Sequence, residues 1–206
     1  TVADPAAVAA IRDRYGDRIV LAVGRLVYYK GLEFLVRAMS KIRGHALIVG
    51  QGPMRDALAA EAAALGVADR VTLLGHVPDT GPYYQAARVF ALPSHLRSEA
   101  FGIVQLEAMA AGLPVVNTRI PSGVPGVSVD GVTGLTVPPG DPETLAVAVN
   151  RLLDDPALAT RLGAAGRQRV VERYTLGGMT ERTLALYARV LAAGDRWSRG
   201  RVRVGA

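Results

Sequence analysis

Cysteine is absent from the 206 residues. That excludes disulfides, thiolate metal sites and thiol nucleophiles, and it leaves the redox compartment unreported. Aromatic residues are scarce at 5%, with a single tryptophan. No basic stripe interleaved with aromatics runs through the body, so nucleic-acid binding is not its main business. The three histidines, His45, His76 and His95, have no metal-ligand spacing and no clustered carboxylates beside them, so no metal site is expected. No apolar run approaches the roughly 18 residues needed to span a membrane. Thr1 opens neither a signal nor a transit peptide, and a start without methionine reads as a piece of something longer. A Walker A loop and a G-x-G-x-x-G turn are both missing, which removes the main warrant for an ATPase or a dinucleotide enzyme.

What is present is a soluble globular composition, half hydrophobic and one-fifth charged, with length enough for a substantial core. Glycine is in excess at 23 residues, against an average of roughly 7%, which points to tight turns or close backbone approach to a ligand. Four arginines of the tail, Arg196, Arg199, Arg201 and Arg203, account for four of the six net positive charges and leave the rest near +2. Such a tail suits an anionic membrane surface or nucleic acid, or is simply a solvated terminus.

Short apolar runs alternate with segments of helical period, the pattern of a parallel α/β sheet. Strands are expected at 19–24, 45–50, 70–75, 88–93, 114–118 and 133–138. Helices are expected at 31–42, 53–65, 79–87, 102–111, from Asp141 through the following Asp-Pro start, and at 156–173 and 175–193. The reading is one doubly wound, Rossmann-like domain over 1–193 with helices on both faces and a helical C-terminal end, followed by a basic tail at 194–206.

In open parallel sheets ligands bind beyond the carboxyl ends of the strands. The loop "VGRLVYYKG" carries Gly24, Arg25, Lys30 and Gly31 there, two cations suited to a phosphate or merely solvated. The loop "VGQGPM" contains Gly50, whose role is the turn or a ligand. The stretch "SEAFGIVQLEAMAAGLPVV" places Glu99 and Glu107 eight positions apart in otherwise core-like sequence. Its helix N-terminus, near Phe101, Gly102 and Ile103, offers amides and a partial positive charge to an anion. Carboxylates flanking a phosphate site accept hydrogen bonds from hydroxyls. Together these loops describe a sugar–diphosphate–nucleoside pocket. His95 stands close to Glu99 and is a candidate sugar contact, and the Tyr28–Tyr29 pair packs or lines an acceptor side.

The series "VGRLVYYKG", "VGQGP", "LLGHV", "SEAFGIVQLEAMAAGLPVV" and "DGVTGLTVPPGDPETLA" resembles, in this order, the C-terminal donor-binding half of retaining glycosyltransferase family 4, a two-domain GT-B fold. The resemblance implies a metal-independent, retaining hexosyltransferase with no cofactor and a UDP- or GDP-sugar as donor. Arg25, Lys30 and Glu99 would be its catalytic groups. Gly24, Arg25, Lys30 and Gly50 would meet the donor. Glu99 would bind the transferred sugar, with the Phe101, Gly102 and Ile103 amides beside it. Glu107 would bind the ribose, and His76 and Val77 the base through backbone. The resemblance also implies surface-polysaccharide or lipopolysaccharide synthesis, with mannose as the candidate hexose, on a glycan or lipid-linked acceptor at the cytoplasmic membrane face. The acceptor half would lie outside this chain, leaving it a donor binder with little transfer activity and an apolar face exposed near 175–193. Gly126 departs from the family's usual glutamate. A sugar-nucleotide epimerase lacks its acid/base groups here, and a phosphorylase would need a lysine-bound pyridoxal phosphate. A non-catalytic nucleotide-sugar or polyanion-binding module is the remaining alternative.

Overall fold

The structure, a computed structural model, describes residues 3–200, with side chains described as far as residue 192. Two compact units divide at Gln168 and Arg169. The first holds six strands: β1 (Ile19–Val23), β2 (His45–Val49), β3 (Val71–Gly75), β4 (Val89–Leu92), β5 (Val115–Thr118) and β6 (Gly134–Val137). They form one sheet in the order β3-β2-β1-β4-β5-β6, and each neighbouring pair is parallel. Strands β4 and β5 are buried along their whole length, which explains why they read as continuous apolar runs and not as alternating ones.

The helices of this unit are α1 (Pro5–Tyr15), α2 (Leu32–Ala38), α3 (Arg55–Ala64), α4 (Gly81–Ala86), α5 (Ile103–Ala110), α6 (Val124–Val127) and α7 (Pro142–Asp154). The helix α8 (Pro156–Arg173) carries the boundary between the units, and α9 (Leu176–Gly200) belongs to the second. From β1 the chain steps outward to β2 and β3, then returns to β4 and steps the other way. With right-handed crossovers this reversal sets α2 and α3 on one face and α4, α5 and α6 on the other. Contacts agree: α2 packs on α3 and α7, and α1 packs on α4.

All six expected strands are present, and so are the expected helices, with shifted ends. The helix expected over 31–42 gives way after Ala38. There Ser40 Oγ donates to the Arg37 carbonyl at 2.9 Å, the local competition that loosens helix ends. Helix α7 starts as the Asp-Pro signal dictates, with the Asp141 side chain accepting from the Glu143 and Thr144 amides at 3.0 Å. The same signal, Asp4-Pro5, starts α1, a helix the sequence reading passed over. Only Val8 of α1 is buried, so no apolar stripe marks it. In the second unit Leu176, Met179, Leu184, Tyr187, Val190 and Leu191 of α9 are exposed, as expected for 175–193. The helix runs on to Gly200, so the segment 194–200 is helical. The side chains of Arg196 and Arg199, and the whole of 201–206 with Arg201 and Arg203, lie outside the described residues.

Candidate functional site

Three strand-end loops are joined to one another through backbone. The Gly24 amide donates to the Val49 carbonyl at 2.9 Å, Gly50 to Gly75 at 2.8 Å, and Leu26 to Gln51 at 2.9 Å. A Cβ at Gly50 would stand 1.9 Å from the Gly24 carbonyl oxygen. Glycine there is required by backbone approach alone. The loop after β4 joins the same group where the His95 amide donates to the Tyr29 carbonyl at 3.1 Å.

Between these last two loops lies an ion pair of Lys30 Nζ and Glu99 Oε2, with side chains only 12% and 9% exposed. Ser94 Oγ, fully buried, donates to the same carboxylate oxygen at 3.1 Å. Thr118 Oγ1, at the end of β5, donates to the Ser94 carbonyl. A buried carboxylate is tolerable when paired and hydrogen-bonded in this way. Glu99 is thus held in an ion pair at the carboxyl ends of β1 and β4, where the sheet order reverses. Just beyond, Gly102 is left-handed at φ 71° and caps the start of α5. A Cβ there would meet Leu92 Cδ2 at 2.7 Å and Gln105 Nε2 at 2.9 Å, so the turn and the packing both demand glycine.

Glu107 differs from Glu99. It is exposed on α5, against the core-like reading of its neighbourhood, because α5 turns Ala108 and Met109 inward instead. Tyr84 of α4, itself buried, donates its hydroxyl to Glu107 Oε2 at 2.8 Å. Burial pushes the Tyr84 hydroxyl well above the ordinary phenol range, and the adjacent Glu107 charge adds to the effect. The pair lines an open cavity of about 940 Å³ together with Asp79, Thr80, Gly81 and Arg167. Lys30 and Glu99 do not line it, so the two glutamates serve neighbouring but separate places.

The remaining residues singled out in sequence fall as follows. Arg25 is exposed beside Gly24. His76 is exposed and Val77 half-buried in the loop after β3, while Phe101 and Ile103 are exposed around buried Gly102. Gly126 lies in α6 with open space where a side chain would start. His95 packs its ring edgewise on Tyr28 and Phe34, with centroids at 4.7 and 5.1 Å. Both its ring nitrogens are buried without a hydrogen-bond partner. Tyr28 is 62% exposed. His45 Nε2 pairs with Thr72 Oγ1 at 2.8 Å. Among the described residues no group of three or more His, Asp or Glu is placed to hold a metal ion.

The sequence reading missed Tyr84, Ser94, Gln105, Asn117 and Thr118. For the last four the signal was polarity inside apolar strings: "FALPS", "GIVQLEAM" and "PVVNT" each carry a hydrogen-bonding residue where burial is complete or nearly so; Tyr84 had none.

A model of the family described as glycosyl transferases group 1 matches residues 8–169. The chain belongs to this family. Among curated group 1 relatives, the O-antigen chain mannosyltransferase C of Escherichia coli is 35% identical over 91% of this chain and 51% of its own length. D-rhamnosyltransferase WbpZ of Pseudomonas aeruginosa is 38% identical over 80% of this chain and 43% of its own. The chain thus spans about half the length of the curated relatives it matches. Of solved structures, sucrose-phosphate synthase from Thermosynechococcus elongatus superimposes with a TM-score of 0.81 at 36% identity, covering 91% of this chain and 49% of that one. Anabaena HepE, solved in complex with UDP-glucose, gives 0.83 at 23% identity over 91% of this chain and 54% of that one, a likeness of fold. The group 1 fold here is the Rossmann-like half of the GT-B architecture.

Proposed function

We propose that this chain is the donor-binding half of a retaining, metal-independent hexosyltransferase that uses a nucleoside diphosphate sugar. The observation that carries the reading is the buried Lys30–Glu99 pair, held by Ser94 at the point where the sheet order reverses. A cation and a hydroxyl-accepting carboxylate side by side suit a phosphate joined to a sugar. Glu107, one and a half turns down α5, lines the open cavity of about 940 Å³ and suits ribose hydroxyls. On this reading the His76–Val77 backbone meets the base.

In the proposed reaction the bond between the sugar's anomeric carbon and the diphosphate oxygen breaks. An acceptor hydroxyl oxygen bonds to the same face of that carbon, and its proton passes to the departing phosphate. Arg25, Lys30 and the α5 amides offset the negative charge that develops on the diphosphate, which is electrostatic stabilisation in place of a divalent ion. Lys30 then exchanges part of its contact with Glu99 for phosphate as Glu99 turns to the sugar hydroxyls. The acceptor, on this reading a glycan or lipid-linked sugar in surface-polysaccharide synthesis at the membrane, meets a half outside this chain. Two curated relatives act on such material by name, an O-antigen mannosyltransferase and a GDP-mannose-dependent enzyme of phosphatidylinositol mannosides in Mycolicibacterium smegmatis.

Calorimetric titration with UDP, GDP, ADP and their hexose conjugates tests the reading. Binding of one nucleotide sugar, weakened about tenfold or more by Glu99→Gln and by Glu107→Ala, is the expected result. A chain that binds the nucleotides but is indifferent to both substitutions would sink the assignment of the two carboxylates.

A further inference from the structure

The last two residues of β5 both reach the Glu99 loop, by different routes. Thr118 does so through the Ser94 carbonyl. Asn117, 1% exposed, does so through Gln105, which is fully buried. Asn117 Nδ2 donates to Gln105 Oε1 at 2.9 Å, and Gln105 Nε2 donates to the Phe101 carbonyl at 3.0 Å. Asn117 Nδ2 also lies 3.2 Å from the carbonyls of Val124 and Ser128, and its Oδ1 accepts from Thr136 Oγ1 at 2.7 Å. One buried amide therefore ties β5, β6, α5 and the 120–128 segment to the turn that precedes α5.

We infer that Gln105 and Asn117 are positioning residues for the donor's sugar end, fixing the Glu99–Ile103 turn through the Phe101 carbonyl. This rests on the donor-site reading above. Neither residue touches the open side of the loops, so neither is catalytic. The physical case is satisfaction. Leucine or valine would fill these places as well by volume, yet two primary amides are buried with their hydrogen bonds aimed at backbone carbonyls. Fully bonded buried networks specify one geometry where apolar packing tolerates several. The backbone they specify is a left-handed one that glycine adopts readily, at Gly102, where an added Cβ would meet Leu92 and Gln105 itself. The same turn receives a second brace where the Gly123 amide donates to the Ala100 carbonyl at 2.8 Å.

The test uses this chain with UDP-glucose, GDP-mannose, UMP and GMP as probes. Gln105→Met keeps volume and removes the bonds to Asn117 and to the Phe101 and Val124 carbonyls; Asn117→Leu removes the bonds to Gln105, Val124, Ser128 and Thr136 and leaves Gln105 on Phe101. Expected for Gln105→Met is about fivefold weaker binding of whichever nucleotide sugar the chain prefers. The matching monophosphate, which lacks the sugar end, should bind unchanged, and the amides of Gln105 and Gly123, bonded to the Gly102 and Ala100 carbonyls, should exchange faster with deuterium. Asn117→Leu should show the same pattern more weakly. Val149→Ala, in α7 on the other face of the sheet, supplies a general loss of stability and should leave the sugar-to-monophosphate ratio and those amides alone. Equal weakening of sugar and monophosphate, an unchanged ratio, or the same change in Val149→Ala overturns the positioning role alone. A wild-type chain that binds none of the four probes overturns the donor-site reading and this inference together.

Discussion

Tyr84 donates to Glu107 from a buried position, which orients one carboxylate oxygen and leaves the other toward the cavity. Tyr84→Phe should weaken nucleoside diphosphate binding about threefold to fivefold, equally for free diphosphate and sugar conjugate, because the loss falls at the ribose end. Titration of both ligands checks it. The raised Tyr84 ionisation also sets a pH dependence. Below about pH 10, the ordinary tyrosine value, the hydroxyl is neutral in folded and unfolded chains alike and its contribution is intact. Above it the unfolded chain ionises first and stability falls. Melting between pH 8 and 11 should drop more in the wild type than in Tyr84→Phe. At the other pole Lys30 and Glu99 are a coupled pair. Lys30→Met should cost about 3 kcal/mol by stranding a buried carboxylate, and Glu99→Gln added to it should recover much of that loss. Urea unfolding of the two variants and their double measures the recovery; strict additivity would contradict the pairing.

At the scale of elements, sequence legibility followed the burial of each segment. The strands β1, β2, β4 and β5, buried nearly throughout, announce themselves as apolar runs, and the half-buried β3 and β6 were readable as well. Helix α7 was readable twice over, from its Asp141-Pro142 start and from an apolar face that buries Leu145, Val149 and Leu152. Its cap yields a prediction with a defined sign. Hydrogen bonding from the Thr144 amide, the largest of several causes, holds the Asp141 carboxyl below its ordinary value. Its stabilisation is thus present above the unfolded value and lost as the solution is acidified through the folded one. Asp141→Ala should melt below the wild type at pH 7, and the two curves should converge toward pH 3. Helix α1, with the same start but one buried residue, was passed over because no periodic face accompanied the signal. The site was legible to the extent that it sits in loops of odd composition. Lys30, Glu99 and Gly102 stood out against their neighbours, whereas Ser94, Gln105 and Asn117 are ordinary residues whose meaning lies in partners far along the chain. Tyr84 and Glu107 are 23 positions apart, and no local pattern links them.

Across the whole molecule, the chemistry of the first unit gathers at one end of one sheet. The apolar residues of α9 form an exposed face in the second unit, where Leu176 and Leu191 are 75% and 71% exposed. Exposed apolar surface of this kind promotes association, so sedimentation should show self-association rising with concentration. Leu184→Glu with Leu191→Glu should reduce it while leaving nucleotide binding unchanged. The stitching of the loops after β1, β2 and β3 carries a different lesson, one for protein engineering. The Gly24 amide bonds to the Val49 carbonyl and the Gly50 amide to the Gly75 carbonyl, and Gly50 has no room for even a methyl group. Such loops cannot be lengthened or exchanged singly. A chimera that borrows one of them from a relative to alter donor choice will inherit a mismatch with the other two. The smallest transplantable cassette is therefore all three together, and insertions belong instead around Gly66 and Gly131, where nothing presses on the backbone.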